Sequence, residues 1–468
     1  MDNIYAGAEV TLVQAHGSNP CVGLYGISHP RSRQPRIRIG QYQLTSSFSE
    51  PQYWIKHHSP WFRRAWMYQE AILSHRCLYF TDQQVYFECQ RSTFEESFHE
   101  PDSFVASHIL CPTNSYTRSA YRMFPADYLE QIKNDPSLIE TQLIEYTERN
   151  LSYPSDALNA FSGILHRFKH PRFNISHLYG IPILWSVKRQ WSFVEGFAAG
   201  LCWIGQTTHR RHGFPSWSWA GWNRSDGVDC IFNYSEVYSQ GIQCAPDLQF
   251  GFETIDGVIL DWESYNRQAI LPDTPSLKPI LHVDAHMLYC KLVLVLDFPD
   301  RPRLYICIQN SLGRFWAPSD IHNIPRNCKF ARHSTDEDII DGEFPVPFRY
   351  HFRPKWEECM VNEEGIYSNG TFNDGVDSLD RYREWPLLVV GDHRNAICTG
   401  SVGGGSRADD CTKGPFLMVL KDQGDYYERL VGLDLSTSAV GNHGLRYWFG
   451  KDLSDYFIDA KKCCIKLG

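Results

Sequence analysis

Glu70 follows Trp66 by four residues and Gln69 by one, inside the run Ser59–Leu73. On a helix, positions four apart lie one above the other, so this spacing stacks the indole and the carboxylate on one side. A carboxylate held beside an aromatic ring at the edge of an apolar face loses part of its hydration. That raises its pKa and fits it for acid–base work or for gripping a ligand's hydroxyls. On a wheel of about 100° per residue, Phe62, Ala65, Trp66, Ile72 and Leu73 share a face, with Gln69 in its middle and Glu70 at its rim. An ordinary amphipathic helix, with Glu70 in water and Gln69 in a core hydrogen bond, fits the same pattern, and pattern alone favours that plainer reading. The helix is expected to begin at Ser59, whose hydroxyl can accept from the first free amides. Pro60 then takes the first helical position, where no N–H is needed.

The elements that must hold these residues come from a chain of 468 residues, long enough for two or three domains. Hydrophobic residues at 43% and charged residues at 21% describe a soluble globular protein. A net charge of −9 argues against nucleic acid or an anionic membrane as partner, because no basic surplus exists to release counterions. No apolar run is long enough for a membrane span, and no basic region with an apolar core follows Met1, so a cytoplasmic location is expected. The 15 cysteines include no Cys-x-x-Cys pair, which leaves neither a zinc ribbon nor a disulfide framework. His166 and His170 stand four apart but opposite the Leu158/Phe161/Leu165 face and without an acidic third ligand, so no metal is expected.

Taken in order, Asp2–Ala8 reads as the end of a helix. Val10–Gln14 reads as a strand of the kind that lies in a parallel sheet buried on both faces. After the Ser59–Leu73 helix comes a hairpin of Cys77–Phe80 and Val85–Cys89. Helices are expected over 126–133, Pro136–Glu148, Pro154–Phe168 and Val187–Trp203. In Pro215–Trp222 an alternating strand would set Trp217 and Trp219 on one face. There they would seal a core or, as a weaker alternative, stack on carbohydrate. Beyond Asp229 the period becomes two, with strands at 257–260, 280–289, 291–298, 304–308, 387–390, 416–420, 426–435 and 464–467. An acidic surface excursion is expected over 332–383, and a flexible loop over Ser401–Ser406. The divisions are then an α/β part at 1–110, a helical segment at 111–228 ending in the Trp-rich stretch, and a mainly β region at 229–468.

Three segments together resemble the fungal heterokaryon-incompatibility (HET) domain family. They are Met1–Val13 with Gly23-Leu24-Tyr25-Gly26; Arg64-Ala65-Trp66-Met67-Tyr68-Gln69-Glu70; and Asp156–Gly163 followed by Pro215–Trp219. The resemblance implies self/non-self recognition and cell-death signalling through protein partners, self-association among them. It also implies a fold related to TIR domains, so that 1–110 would be a partial TIR-like three-layer α/β sheet. The family's opening strand and its Leu-Ser-Tyr-x-Trp-Gly-like block are not found, and an N-terminally truncated HET domain is expected. TIR enzymes that hydrolyse NAD carry a Trp and a catalytic Glu at the spacing of Trp66 and Glu70. By that likeness Glu70 is the catalytic candidate, Trp66 and Gln69 are the nucleotide-binding candidates, and NAD is a substrate with no resident cofactor.

Overall fold

The computed structural model describes residues 2–17, 19–46, 51–89, 93–96, 138–168, 176–184, 191–205, 207–224, 230–232, 242–264, 277–298, 301–310, 313–319, 331–332, 384–393, 415–434 and 460–468. The expected helix at 126–133, His170, almost all of the 332–383 excursion and the 401–406 loop lie outside them. The chain divides into two compact units, Met1–Asn174 and Ile175–Gly468.

The first unit is mixed α/β. Its elements are α1 (Asp2–Gly7), β1 (Thr11–Gln14), β2 (Arg36–Ile39), β3 (Tyr42–Thr45), α2 (Pro51–His58), α3 (Ala65–Leu73), β4 (Arg76–Phe80), β5 (Val85–Cys89), β6 (Thr93–Glu95), α4 (Ile139–Thr147) and α5 (Asn159–Phe168). One sheet runs β1-β4-β5-β6, with β1 and β4 parallel, Val13 opposite Tyr79, and the other two pairs antiparallel. Its core gathers Val13, Ala15, Cys77, Tyr79 and Tyr86 with Trp54 and Ile55 of α2, and Trp61 and Phe62 pack against it. The parallel pairing of β1 is as expected, but burial on both faces is not: Leu12 is 57% exposed and Val10 42%. Among the described residues, strand β1 has one neighbour, β4, and ends the sheet.

Helix α3 starts at Ala65, not Ser59. Ser59 is buried, and its hydroxyl donates to the Ala15 carbonyl while accepting from the Phe62 amide. What starts the helix is a backbone bridge of Arg64 with Asn150. The Ala65 amide donates to the Asn150 carbonyl at 2.8 Å, and the Asn150 amide to the Arg63 carbonyl at 2.7 Å. The amphipathic face also needs correction. Met67 and Tyr68, on the side expected to be polar, are buried along with Ala65, Gln69, Ala71, Ile72 and Leu73, because α1, α4 and α5 all pack on α3.

The second unit is β-rich. Its helix α6 (Phe193–Gly200) is shorter than the expected 187–203, because Ser192 and Glu195 form a capping box that marks its start. Five strands close a barrel: β7 (Leu277–Phe298), β8 (Glu384–His393), β9 (Pro415–Asp422), β10 (Tyr427–Asp434) and β11 (Lys461–Leu467). The ring runs β7-β8-β9-β10-β11 and returns to β7, where Leu281 faces Leu467 and Met287 faces both Leu388 and Lys461. The two strands read at 280–289 and 291–298 are one continuous strand, β7. Leu281, Val283, Leu387, Val389, Leu417, Val419 and Leu467 are buried.

The Trp-rich stretch is not a strand. It is a turn followed by a 3-10 turn over Trp219–Gly221. The Trp203 indole N–H donates to the Trp217 carbonyl, that of Trp219 to the Gly180 carbonyl and that of Trp222 to the Ser216 carbonyl, so the indoles knot the backbone into place. Trp217 and Trp219 are 2% and 1% exposed, which leaves no ring face for a sugar and makes them core.

Candidate functional site

Helix α3 holds Trp66, Gln69 and Glu70 in three different surroundings. The Trp66 indole N–H donates to Asp156 Oδ2 at 3.0 Å. Gln69 is fully buried, and its Oε1 accepts from the Gly163 amide at 3.2 Å. Both contacts reach the segment that leads into and forms α5, so two of the stretches singled out in the sequence, 64–70 and 156–163, meet in space. Trp66 and Gln69 thereby use polar atoms to bind helix to helix.

Glu70 turns instead toward α1. It is half-buried, and the Tyr5 hydroxyl donates to its carboxylate with the Arg64 guanidinium nearby. Burial dominates and raises the Glu70 carboxyl above the usual carboxylate range, while the Tyr5 bond and the Arg64 charge pull it back. The same pair pushes the Tyr5 phenol up to about 12, through its own burial first and the Glu70 charge second. Tyr5 and Arg64 are the members of this cluster that periodicity does not reveal: Tyr5 sits in what reads as an anonymous helix end, and Arg64 as a surface cation before a helix.

The rest of the surroundings hold Glu70 in place. Ser74, at the end of α3, donates to the Glu70 carbonyl at 2.6 Å and shares a 2.7 Å bond with Thr11 of β1. One hydroxyl thus ties the last turn of the helix to the edge strand. Cys77 lies close by, but burial pushes its thiol up to about 11, which keeps it from acting as a thiolate nucleophile at neutral pH. On the opposite side of α3, Arg149 lies 4.0 Å from the Phe62 ring centroid and 4.7 Å from that of Tyr68. The Tyr68 hydroxyl is 3.0 Å from both Gln142 Oε1 and Glu145 Oε2. This second polar cluster is walled in by α4 and fixes the rotation of α3 about its axis, which decides that Glu70 meets Tyr5.

The arrangement presents one ionisable carboxyl, desolvated in part, with a phenol donor on it and an indole one turn away. Chemically it can hold a proton or accept from paired hydroxyls. No group of three or more His, Cys, Asp or Glu side chains able to hold a metal occurs among the described residues. No described helix is long and apolar enough to cross a membrane. Residues 1–70 match the family model described as Heterokaryon incompatibility protein (HET), and the match ends on Glu70 itself. No curated protein and no solved structure matches the chain.

Proposed function

We propose, on the premise that this is a HET domain-containing protein, that the chain serves fungal heterokaryon incompatibility. It takes part in self/non-self recognition and cell-death signalling in the cytoplasm through contacts with other proteins. The family match over residues 1–70 carries this reading. The apolar side chains that the first unit leaves in water, Ile4 at 67% and Leu12 at 57% exposed among them, support a contact role. Induced expression of the chain in one of two fusing fungal strains is expected to kill the fused cells, scored by vital staining. Full viability at a protein level verified by immunoblot would overturn the reading.

The half-buried Glu70 favours a second reading, an NAD(P)+ glycohydrolase of TIR-like type in which 1–110 is a partial three-layer domain. Glu70 would grip the ribose hydroxyls and stabilise the oxocarbenium-like charge as nicotinamide leaves. Trp66 and Gln69 would bound the nucleotide side of the site. Mass-spectrometric detection of nicotinamide released from NAD+ separates the two readings. Release that falls by about 100-fold or more in Glu70→Ala supports the enzyme, and equal release by both proteins removes Glu70.

A further inference from the structure

Seven of the nine residues of α3 are buried, and the two that reach solvent are Trp66 and Glu70, one turn apart. The helix therefore shows the surface a single strip, an indole beside a carboxylate. An indole on an open helix face turns about its two side-chain torsions, and a platform that turns must be ordered at a cost when a ligand arrives. Trp66 is not free to turn. Its N–H donates to Asp156 Oδ2 at 3.0 Å, across 90 positions of sequence. That bond uses the one polar atom of the indole, so only ring surface is left for a ligand.

Asp156 is in turn held from behind. It ends the 3-10 turn Pro154–Asp156, and its amide donates to the Tyr153 carbonyl at 3.0 Å. The next residue, Ala157, is fully buried, and its carbonyl accepts from the Tyr146 hydroxyl of α4 at 2.7 Å. A chain of fixed groups thus runs from α4 through Ala157 and Asp156 to the indole. The attachment of α3 to α5 does not depend on it, because the buried bond of Gln69 to the Gly163 amide already makes that connection. Asp156 and Trp66 are both half-buried, at a rim where one hydrogen bond contributes little to stability and much to where a ring points. We propose that Asp156 is a positioning residue of the Glu70 site: it sets the pose of the Trp66 indole and, through it, the affinity for the nucleotide that packs against the ring. The inference deepens the enzymatic reading and rests on it. It also puts part of the site outside the family match at 1–70, so that residues 1–110 alone lack the group that orients their own platform. Because such a platform holds substrate and transition state alike, its loss raises KM and leaves kcat.

The test is nicotinamide release by the full chain over a series of NAD+ concentrations. Asp156→Ala should raise KM by about tenfold with kcat within about threefold of the wild type. Asp156→Asn keeps an oxygen for the indole N–H and should bring KM back to within about threefold. Trp66→Phe keeps a ring without an N–H. It raises KM by itself, and adding Asp156→Ala to it should raise KM no further. Both Asp156 variants should melt within about 4 °C of the wild type, so that the kinetics report on pose and not on folding. An unchanged KM in Asp156→Ala, a loss confined to kcat, or the same penalty in the Trp66→Phe background would overturn the proposal while the enzymatic reading stands. An Asp156→Ala chain whose first unit no longer folds would also overturn it, by making the bond structural. A wild type that releases no nicotinamide would overturn the enzymatic reading and this inference with it.

Discussion

Glu70 carries a free-energy penalty that its neighbours do not fully cancel. Its carboxyl is raised above its value in the unfolded chain, so the folded state binds that proton more tightly. The contribution to stability is present in acid, below the unfolded carboxylate pKa, and is lost as pH rises through the folded value. Glu70→Gln, which removes the charge but keeps an acceptor for Tyr5, is expected to raise the melting temperature at pH 7 and leave it nearly unchanged at pH 4, by calorimetry. A lower melting temperature at pH 7 would show that the Arg64 and Tyr5 interactions outweigh desolvation. Gln69 is different in kind. It is fully buried and accepts from the Gly163 amide, so Gln69→Ala orphans a buried donor and leaves a cavity. About 2–4 kcal/mol of stability should be lost, measurable by urea unfolding of the full chain. The apolar wheel marks Gln69 as a misplaced polar residue, and its buried hydrogen bond is the plainer reading of that pattern. What Glu70 touches could not be read from it, because Tyr5 is 65 residues away and the side chains meet only once α1 lies on α3.

Among the elements, a helix with its own start signal can be bounded from adjacent residues, and one started by distant backbone cannot. Helix α6 begins at the capping box of Ser192 and Glu195, a signal that the expected start at Val187 passes over. Helix α3 ignores a well-formed Ser59-Pro60 signal, because the Ser59 hydroxyl is spent on Ala15 and the bridge from Asn150 fixes the start six residues later. Close backbone approach sets a second limit. Along α6, Gly196 and Gly200 face the carbonyls of Leu184 and Pro182, and a methyl at either position would collide with those oxygens. Gly200→Ala is therefore expected to destabilise the second unit by about 1–3 kcal/mol, although the same change stabilises an exposed helix. A neutral or stabilising effect in denaturant unfolding would contradict the packing.

For the molecule as a whole, the barrel joins strands that are remote in sequence. Strand β11 at 461–467 closes on β7 near residue 281, and the two cover each other's apolar residues, Leu281 and Val283 facing Leu467 and Ile465. Removing Lys461–Gly468 should open the ring, expose those side chains and abolish the cooperative transition of the second unit in calorimetry. A truncated chain that retains the wild-type transition would show that the closing strand is dispensable. Contacts of such range require a long loop to be closed before they are rewarded, so slow refolding of this unit is also expected.

The residue pattern alone determined the period-two strands beyond Asp229, a strand at Val10–Gln14 in need of a parallel partner, helices at Pro136–Glu148 and Pro154–Phe168 that form as the shorter Ile139–Thr147 and Asn159–Phe168, and the placement of Trp66 and Glu70 one turn apart. These are local properties: a period, a cap or a turn residue acts over a few positions and is written in adjacent side chains. Tertiary structure decided the rest. The Trp217–Trp222 stretch alternates like a strand but winds into a turn, because its indole N–H groups bond carbonyls that a strand would not bring near. The apparently free face of α3 is covered by α4 and α5, and the strands of the second unit close into a ring rather than an open sheet. At Glu70, the spacing set out a carboxylate beside an indole. Its raised pKa came from burial that only packing across the first unit could impose, against the opposing pull of Tyr5 and Arg64.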